Sequence, residues 1–160
     1  MKTYTGRLVL IAIVVIVFSS RMVVAQELNV LFIGNSQTYS HGLPQIVKRI
    51  ADSLGRPITV SSSAMGGYRF YQHVDNPSTL SWIQREQWDY VVLQEGIYAS
   101  LPVDLAEQQS YPFAQQLYDW IKANCPTTQV LLYMIHAFAD GNFYQCPEDP
   151  PVCTYEGMYE

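Results

Sequence analysis

Four short apolar runs, separated by helical patterns and each ending in polar or small residues, constrain this chain more than any other feature. They fall at residues 29–33 ("NVLFI"), 58–62 ("ITVSS"), 90–93 ("YVVL") and within 128–137 ("TQVLLYMIHA"). Between the first two, residues 44–54 predict a helix with Ile46, Val47, Ile50 and Leu54 on one face, stopped by Gly55. Residues 78–85, opened by Pro77, predict a second helix, and residues 104–124 a long third one that Pro112 kinks or restarts. Strands that alternate with helices predict a parallel sheet covered on both faces. In such α/β sheets, ligands sit outside the carboxyl ends of the strands. The polar residues gather there: Asn35 and Ser36 after the first run, Gly66 and Gly67 after the second, Gln94 and Glu95 after the third.

The 160-residue chain is long enough for one domain. With 49% hydrophobic and 14% charged residues it can fill a core and is not a disordered chain. A net charge of -5 argues against a nucleic-acid partner, because little here would neutralise phosphates.

Residues 1–25 read as a secretory signal peptide, leaving residues 26–160 as the domain. Lys2 and Arg7 precede the apolar stretch 8–18, and Val23, Val24 and Ala25 form a cleavage-site pattern. Arg21 interrupts the apolar stretch before it reaches the roughly 20 residues of a membrane span. A secreted or periplasmic chain with no stable membrane insertion is expected; an uncleaved anchor is the alternative. Export permits disulfides. Cys146 and Cys153 bracket the proline-rich "PEDPPV", and closing that loop would contribute about 2–2.5 kcal/mol on the chain-entropy model. Three free thiols are the alternative, and Cys125 is left over either way.

Ser36, at the turn after the first strand, stands near backbone N–H groups able to hold an oxyanion. Serines at such turns are equally caps, so spacing alone leaves both roles open. Gly66 and Gly67 permit positive φ or close backbone approach, as a plain turn or as the source of a second N–H for the same oxyanion. Gln94 offers a third donor or satisfies loop backbone, and Glu95 reads as a solvated carboxylate, with a site acid as the alternative. A serine nucleophile also needs a base. His41 lies five residues after Ser36 in a polar loop, a poor position for an oriented base. His73 follows Gly67 on a loop or short helix, and His136 ends the fourth strand with Asp140 close behind. The HExxH, CxxC and GxxxxGK[ST] spacings are all missing, so neither a metal nor a cofactor is expected.

Taken in order, "VLFIGNSQTYSHGLP", "MGGYRFYQHV", "WDYVVLQEG" and "PPVCTYEGM" resemble the secreted bacterial branch of the SGNH/GDSL hydrolase superfamily, over residues 28–158. The resemblance implies a flavodoxin-like three-layer α/β/α fold with a parallel sheet, and hydrolysis of acyl esters of carbohydrates or lipids. It implies a nucleophile at Ser36, an oxyanion-hole glycine at Gly67 (Gly66 being the second choice) and a donor at Gln94, where the family usually has asparagine. The family's last block, a D-x-x-H that supplies the base and its orienting acid, has no match. On the resemblance the chain therefore reads as C-terminally truncated, lacking the last strand and helix, and inactive alone. The expected partner is a small-molecule or glycan ester. The competing reading is a non-catalytic glycan-binding module that keeps the cleft without the base.

Overall fold

The computed structural model describes residues 26–96, 103–136, 139–142, 146 and 150–158. The signal-peptide expectation falls on residues 1–25, outside those described. The elements are β1 (Leu28–Gly34), α1 (Ser36–Tyr39), α2 (Leu43–Ser53), β2 (Ile58–Ala64), α3 (Phe70–Val74), α4 (Pro77–Arg85), β3 (Tyr90–Leu93), α5 (Val103–Gln109), α6 (Tyr111–Asn124) and β4 (Gln129–Leu132). Two 3₁₀ turns, Pro150–Cys153 and Glu156–Met158, follow. The four strands form one parallel sheet in the order β2-β1-β3-β4. This is the flavodoxin-like arrangement, with the strand order reversing at β1/β3.

β1 is one of the two inner strands, and its run of apolar residues serves both faces. Leu31 and Ile33 point one way, with Val91 and Leu93 of β3, and pack on Phe70, Ile83, Trp88, Leu117 and Ile121 from the α3–α4–α6 side. Val30 and Phe32 point the other way and, with Ile58, meet Val47 and Ala51 of α2. A period of two along a strand buried on both faces yields a continuous apolar run, which is why the sequence showed no alternation there. The result is three layers, α/β/α, as expected.

Where element boundaries differ from the sequence expectation, the causes are local. The long helix over 104–124 divides at Ser110. Pro112 sits in the first turn of α6, where its missing N–H leaves no intrahelical bond unmade. The face expected for α2 is displaced: Ile50 and Leu54 are 55% and 72% exposed, and the residues packed against the sheet are Val47 and Ala51. β4 ends at Leu132 rather than running on to Ala137, and Leu132 is 74% exposed. Two apolar grooves flank β4, one of 410 Å³ bounded by Phe32, Tyr90, Val92 and Leu131, the other of 320 Å³ bounded by Tyr118, Val130 and Leu132.

Two turns are tied by side chains. The Trp88 indole donates to the carbonyls of Trp82 (3.0 Å) and Ile83 (3.2 Å), and Asn124 Nδ2 donates to Ile83 (2.9 Å) and Glu86 (3.0 Å), so the end of α4 has partners for its free carbonyls. Cys146 and Cys153 form a disulfide with Cα atoms 4.6 Å apart. Cys125 is a buried free thiol at the end of α6, 3.1 Å from Thr127 Oγ1. Among the described residues no helix is long and apolar enough to cross a membrane.

The two-sided burial of β1 sets a test. Leu31→Ala should cost about 3 kcal/mol in denaturant unfolding, because its site is walled by the sheet and three helices. Ile50→Ala should change stability by no more than about 0.5 kcal/mol.

Candidate active site at the carboxyl edge of the sheet

β1 stops where Gly34 hands over to Asn35. The Asn35 N–H no longer joins the ladder and donates to Gln94 Oε1 at 3.0 Å. Its side chain caps α1, Oδ1 accepting from the Gln37 N–H at 2.9 Å, while Nδ2 donates to the Tyr68 carbonyl at 2.9 Å. Ser36 is thereby placed as the first residue of a one-turn helix, half-buried, with its own N–H among the groups a helix start leaves without an intrahelical acceptor.

The second strand carries Gly67 on the neighbouring turn. Register pairs Gly34 with Ala64, and the next N–H, that of Met65, donates to the Gly34 carbonyl at 3.1 Å. The chain then reverses through Met65-Gly66-Gly67-Tyr68, closed by Tyr68 N–H to Met65 O at 3.1 Å. Gly67 has φ +72°, the value a type II turn demands at its third position, and it has open space where a side chain would be. Conformation rather than crowding therefore asks for glycine here. Among the described residues, neither the Ser36 nor the Gly67 N–H has a protein acceptor.

Gln94 directly follows the third strand, fully buried. Its amide oxygen accepts from the Asn35 N–H and from the Thr38 hydroxyl (2.8 Å), and its nitrogen donates to the Glu95 carbonyl. The amide thus lies under the Ser36 turn and is engaged there. Gly34 makes room for it: a Cβ at this position would stand 2.7 Å from Gln94 Oε1 and closer still to the Thr38 hydroxyl.

Glu95 is not the solvated carboxylate that the sequence suggested. It is 7% exposed, with Oε1 accepting from the N–H groups of Phe70 (3.1 Å) and Gly96 (2.6 Å) and Oε2 from the Ser110 hydroxyl (2.8 Å). Arg69 Nε stands 4.0 Å from Oε1. One carboxylate thus ties the start of α3, the Gly96 turn and the start of α6 together. Sequence reasoning passed it over because its donors come from three separate places in the chain.

His73 is sealed in the core. Nε2 faces the Gly34 carbonyl at 2.9 Å and Nδ1 faces Thr79 Oγ1 at 2.9 Å, with Ser63 Oγ 3.1 Å beyond. A carbonyl only accepts, so the proton belongs on Nε2; Nδ1 then accepts from Thr79, and Thr79 from Ser63. Burial pushes the His73 pKa below its ordinary 6.5, against a smaller raising contribution from the Gly34 carbonyl. His41, His136 and Asp140 are exposed, and His136 lies in the segment beyond the end of β4. Among the described residues no histidine hydrogen-bonds to Ser36, and no cluster of three metal-ligating side chains forms.

With this geometry in place, similarity to solved structures becomes informative. A protein from Slackia heliotrinireducens, provisionally assigned as an SGNH hydrolase, superposes with a TM-score of 0.59 at 23% identity, over 82% of this chain and 67% of that one. A DUF4886 family protein from Bacteroides uniformis does so at 0.64 and 18%, over 83% and 59%. A variant of an acetyl-xylooligosaccharide esterase from Geobacillus reaches 0.50 and 15%, over 84% and 69%. The chain spans between 59% and 69% of the length of these proteins. No family model and no curated protein matches the sequence. The chain shares its fold with these proteins.

Two outcomes follow from the buried edge. Gly34→Ala should cost about 1–3 kcal/mol through overpacking against Thr38 and Gln94, read from denaturant midpoints. For His73 the neutral ring is the form the fold accepts, so its stability contribution is complete above pH 6.5 and is lost as pH falls through the lowered folded value. The thermal midpoint should therefore fall on acidification below pH 6.5, and His73→Gln should flatten that limb.

Proposed function

We propose that this chain is a serine ester hydrolase of the SGNH/GDSL type, acting on acyl esters, carbohydrate esters among them. The observation that carries the reading is that Ser36 and Gly67 stand on the turns following the adjacent strands β1 and β2, and that among the described residues neither N–H has a protein acceptor. In this reading Ser36 Oγ attacks the ester carbonyl carbon, the alcohol leaves, and water releases the acyl group from the serine. The Ser36 and Gly67 N–H groups hold the oxyanion. Gln94 acts from beneath, accepting the Asn35 N–H and the Thr38 hydroxyl, which departs from the direct donor role that the resemblance implies. The Geobacillus neighbour's acetylated-sugar substrate supports placing carbohydrate esters in the substrate class. Residues 1–25 support export as the setting.

The proton acceptor is the weak member of the set. His73 holds its proton toward Gly34 and is sealed from solvent, and the D-x-x-H block has no counterpart in the sequence. Turnover by the 160-residue chain should accordingly be slow, carried by the oxyanion donors and substrate binding.

The test uses the 160-residue chain with a fluorophosphonate probe and with an aryl acetate. Slow labelling confined to Ser36, and acetate hydrolysis that drops to the buffer rate in Ser36→Ala, are expected. Hydrolysis that survives Ser36→Ala would overturn the assignment. Glycan binding without any labelling would favour the non-catalytic module instead.

A further inference from the structure

We infer that Asn35 is a positioning residue that sets the spacing between the two oxyanion donors, one end of its amide capping the helix of Ser36 and the other holding the turn of Gly67. The inference rests on the esterase reading of those two residues. The turn at 65–68 hangs from the Gly34-Asn35 dipeptide at two points. At its start the Met65 N–H reaches the Gly34 carbonyl at 3.1 Å, and at its end the Tyr68 carbonyl accepts Asn35 Nδ2 at 2.9 Å. Tyr68 N–H closes the turn on Met65 O, so both backbone groups of Tyr68 are committed and the Gly67 N–H, inside the closed turn one residue earlier, has a set direction. On the other side, Asn35 Oδ1 takes the Gln37 N–H and the Asn35 N–H reaches Gln94, so the same residue orients the start of α1 and with it the Ser36 N–H.

A cap alone does not ask for an amide. Serine, threonine and aspartate supply the single acceptor that a helix start needs about as well. Only an amide offers an acceptor and a donor from one rigid planar group, and here both are used on different turns by a residue that is 3% exposed. Gly96 lies against the amide: a Cβ there would meet Asn35 Nδ2 at 3.6 Å, an ordinary contact. Loss of the Tyr68 contact frees one end of the turn, and misplacement of a donor by about 1 Å can cost about 100-fold in rate.

The experiment follows labelling of the 160-residue chain by a fluorophosphonate, using intact mass. The reaction forms the Ser36 Oγ–P bond and breaks P–F, releasing fluoride and passing the serine proton to solvent. Asn35→Ser keeps a capping oxygen and removes the amide donor; Asn35→Asp keeps shape and cap but turns an oxygen toward the Tyr68 carbonyl. In each folded variant the limiting labelling rate should fall about 10- to 100-fold, with the half-saturating probe concentration unchanged within about threefold. A purely structural role would move the thermal midpoint and leave the limiting rate of the folded fraction alone. A fall smaller than about tenfold in a folded variant overturns the inference. If Asn35→Ser does not fold, Asn35→Asp decides; failure of both to fold assigns Asn35 to the fold alone and also overturns it. Loss of labelling in Ser36→Ala with wild-type rates in the Asn35 variants sinks only the positioning role. An unlabelled wild type, or labelling that survives Ser36→Ala, sinks the esterase reading and this inference with it.

Discussion

The Gly34 carbonyl accepts from the Met65 N–H and from His73 Nε2, at the point where β1 ceases to be an inner strand and becomes a site. These bonds join the first strand to the turn after the second and to α3, with Thr79 of α4 one hydrogen bond further on. From the opposite side the Gln94 amide closes on Asn35 and Thr38, so the third strand is joined as well. Nothing larger than glycine fits among these groups at residue 34. The arrangement of every element around Ser36 depends on that one crowded residue.

Polar groups so deep in a small domain are stable only when each is answered, because an unanswered buried donor or acceptor costs about 1–3 kcal/mol. Here they answer one another in series. His73, Thr79 and Ser63 make one chain whose proton order is dictated from the Gly34 end. Glu95 makes the other, taking two backbone donors and one hydroxyl. The apolar core fills the middle of the sheet while these chains occupy its carboxyl edge. The edge is therefore held by directional bonds, which set orientation far more narrowly than apolar contact does.

That division explains what could be read from the sequence. Apolar runs and their polar terminations are local signals, so β1, β3, α4 and the meeting of Asn35, Gly67 and Gln94 at one edge were legible. Burial of Glu95 was not, since its donors at residues 70, 96 and 110 are distant in sequence and each is ordinary by itself. His73 was one of three histidines weighed as a base; the Gly34 carbonyl reveals why it is structural. α2 misled for a different reason. Several apolar positions share its wide arc, and only the line through Val47 and Ala51 meets β1 and β2. The length of β4 escaped because apolar composition continues beyond the last ladder bond, and composition does not show where pairing stops.

The two groups proposed to meet an oxyanion are backbone N–H groups, which no side-chain substitution removes short of proline. Sequence controls such a site only indirectly, through the residues that aim the backbone: Gly34 by its lack of a side chain, Gly67 by its positive φ, Gln94 and Asn35 by their amides. Each of these is recognisable for a separate physical reason, and none of them need touch a substrate. The letters Gly-Asn-Ser are thus three different instructions, for close approach, for cross-turn spacing and for chemistry, and the first two give the third a defined geometry.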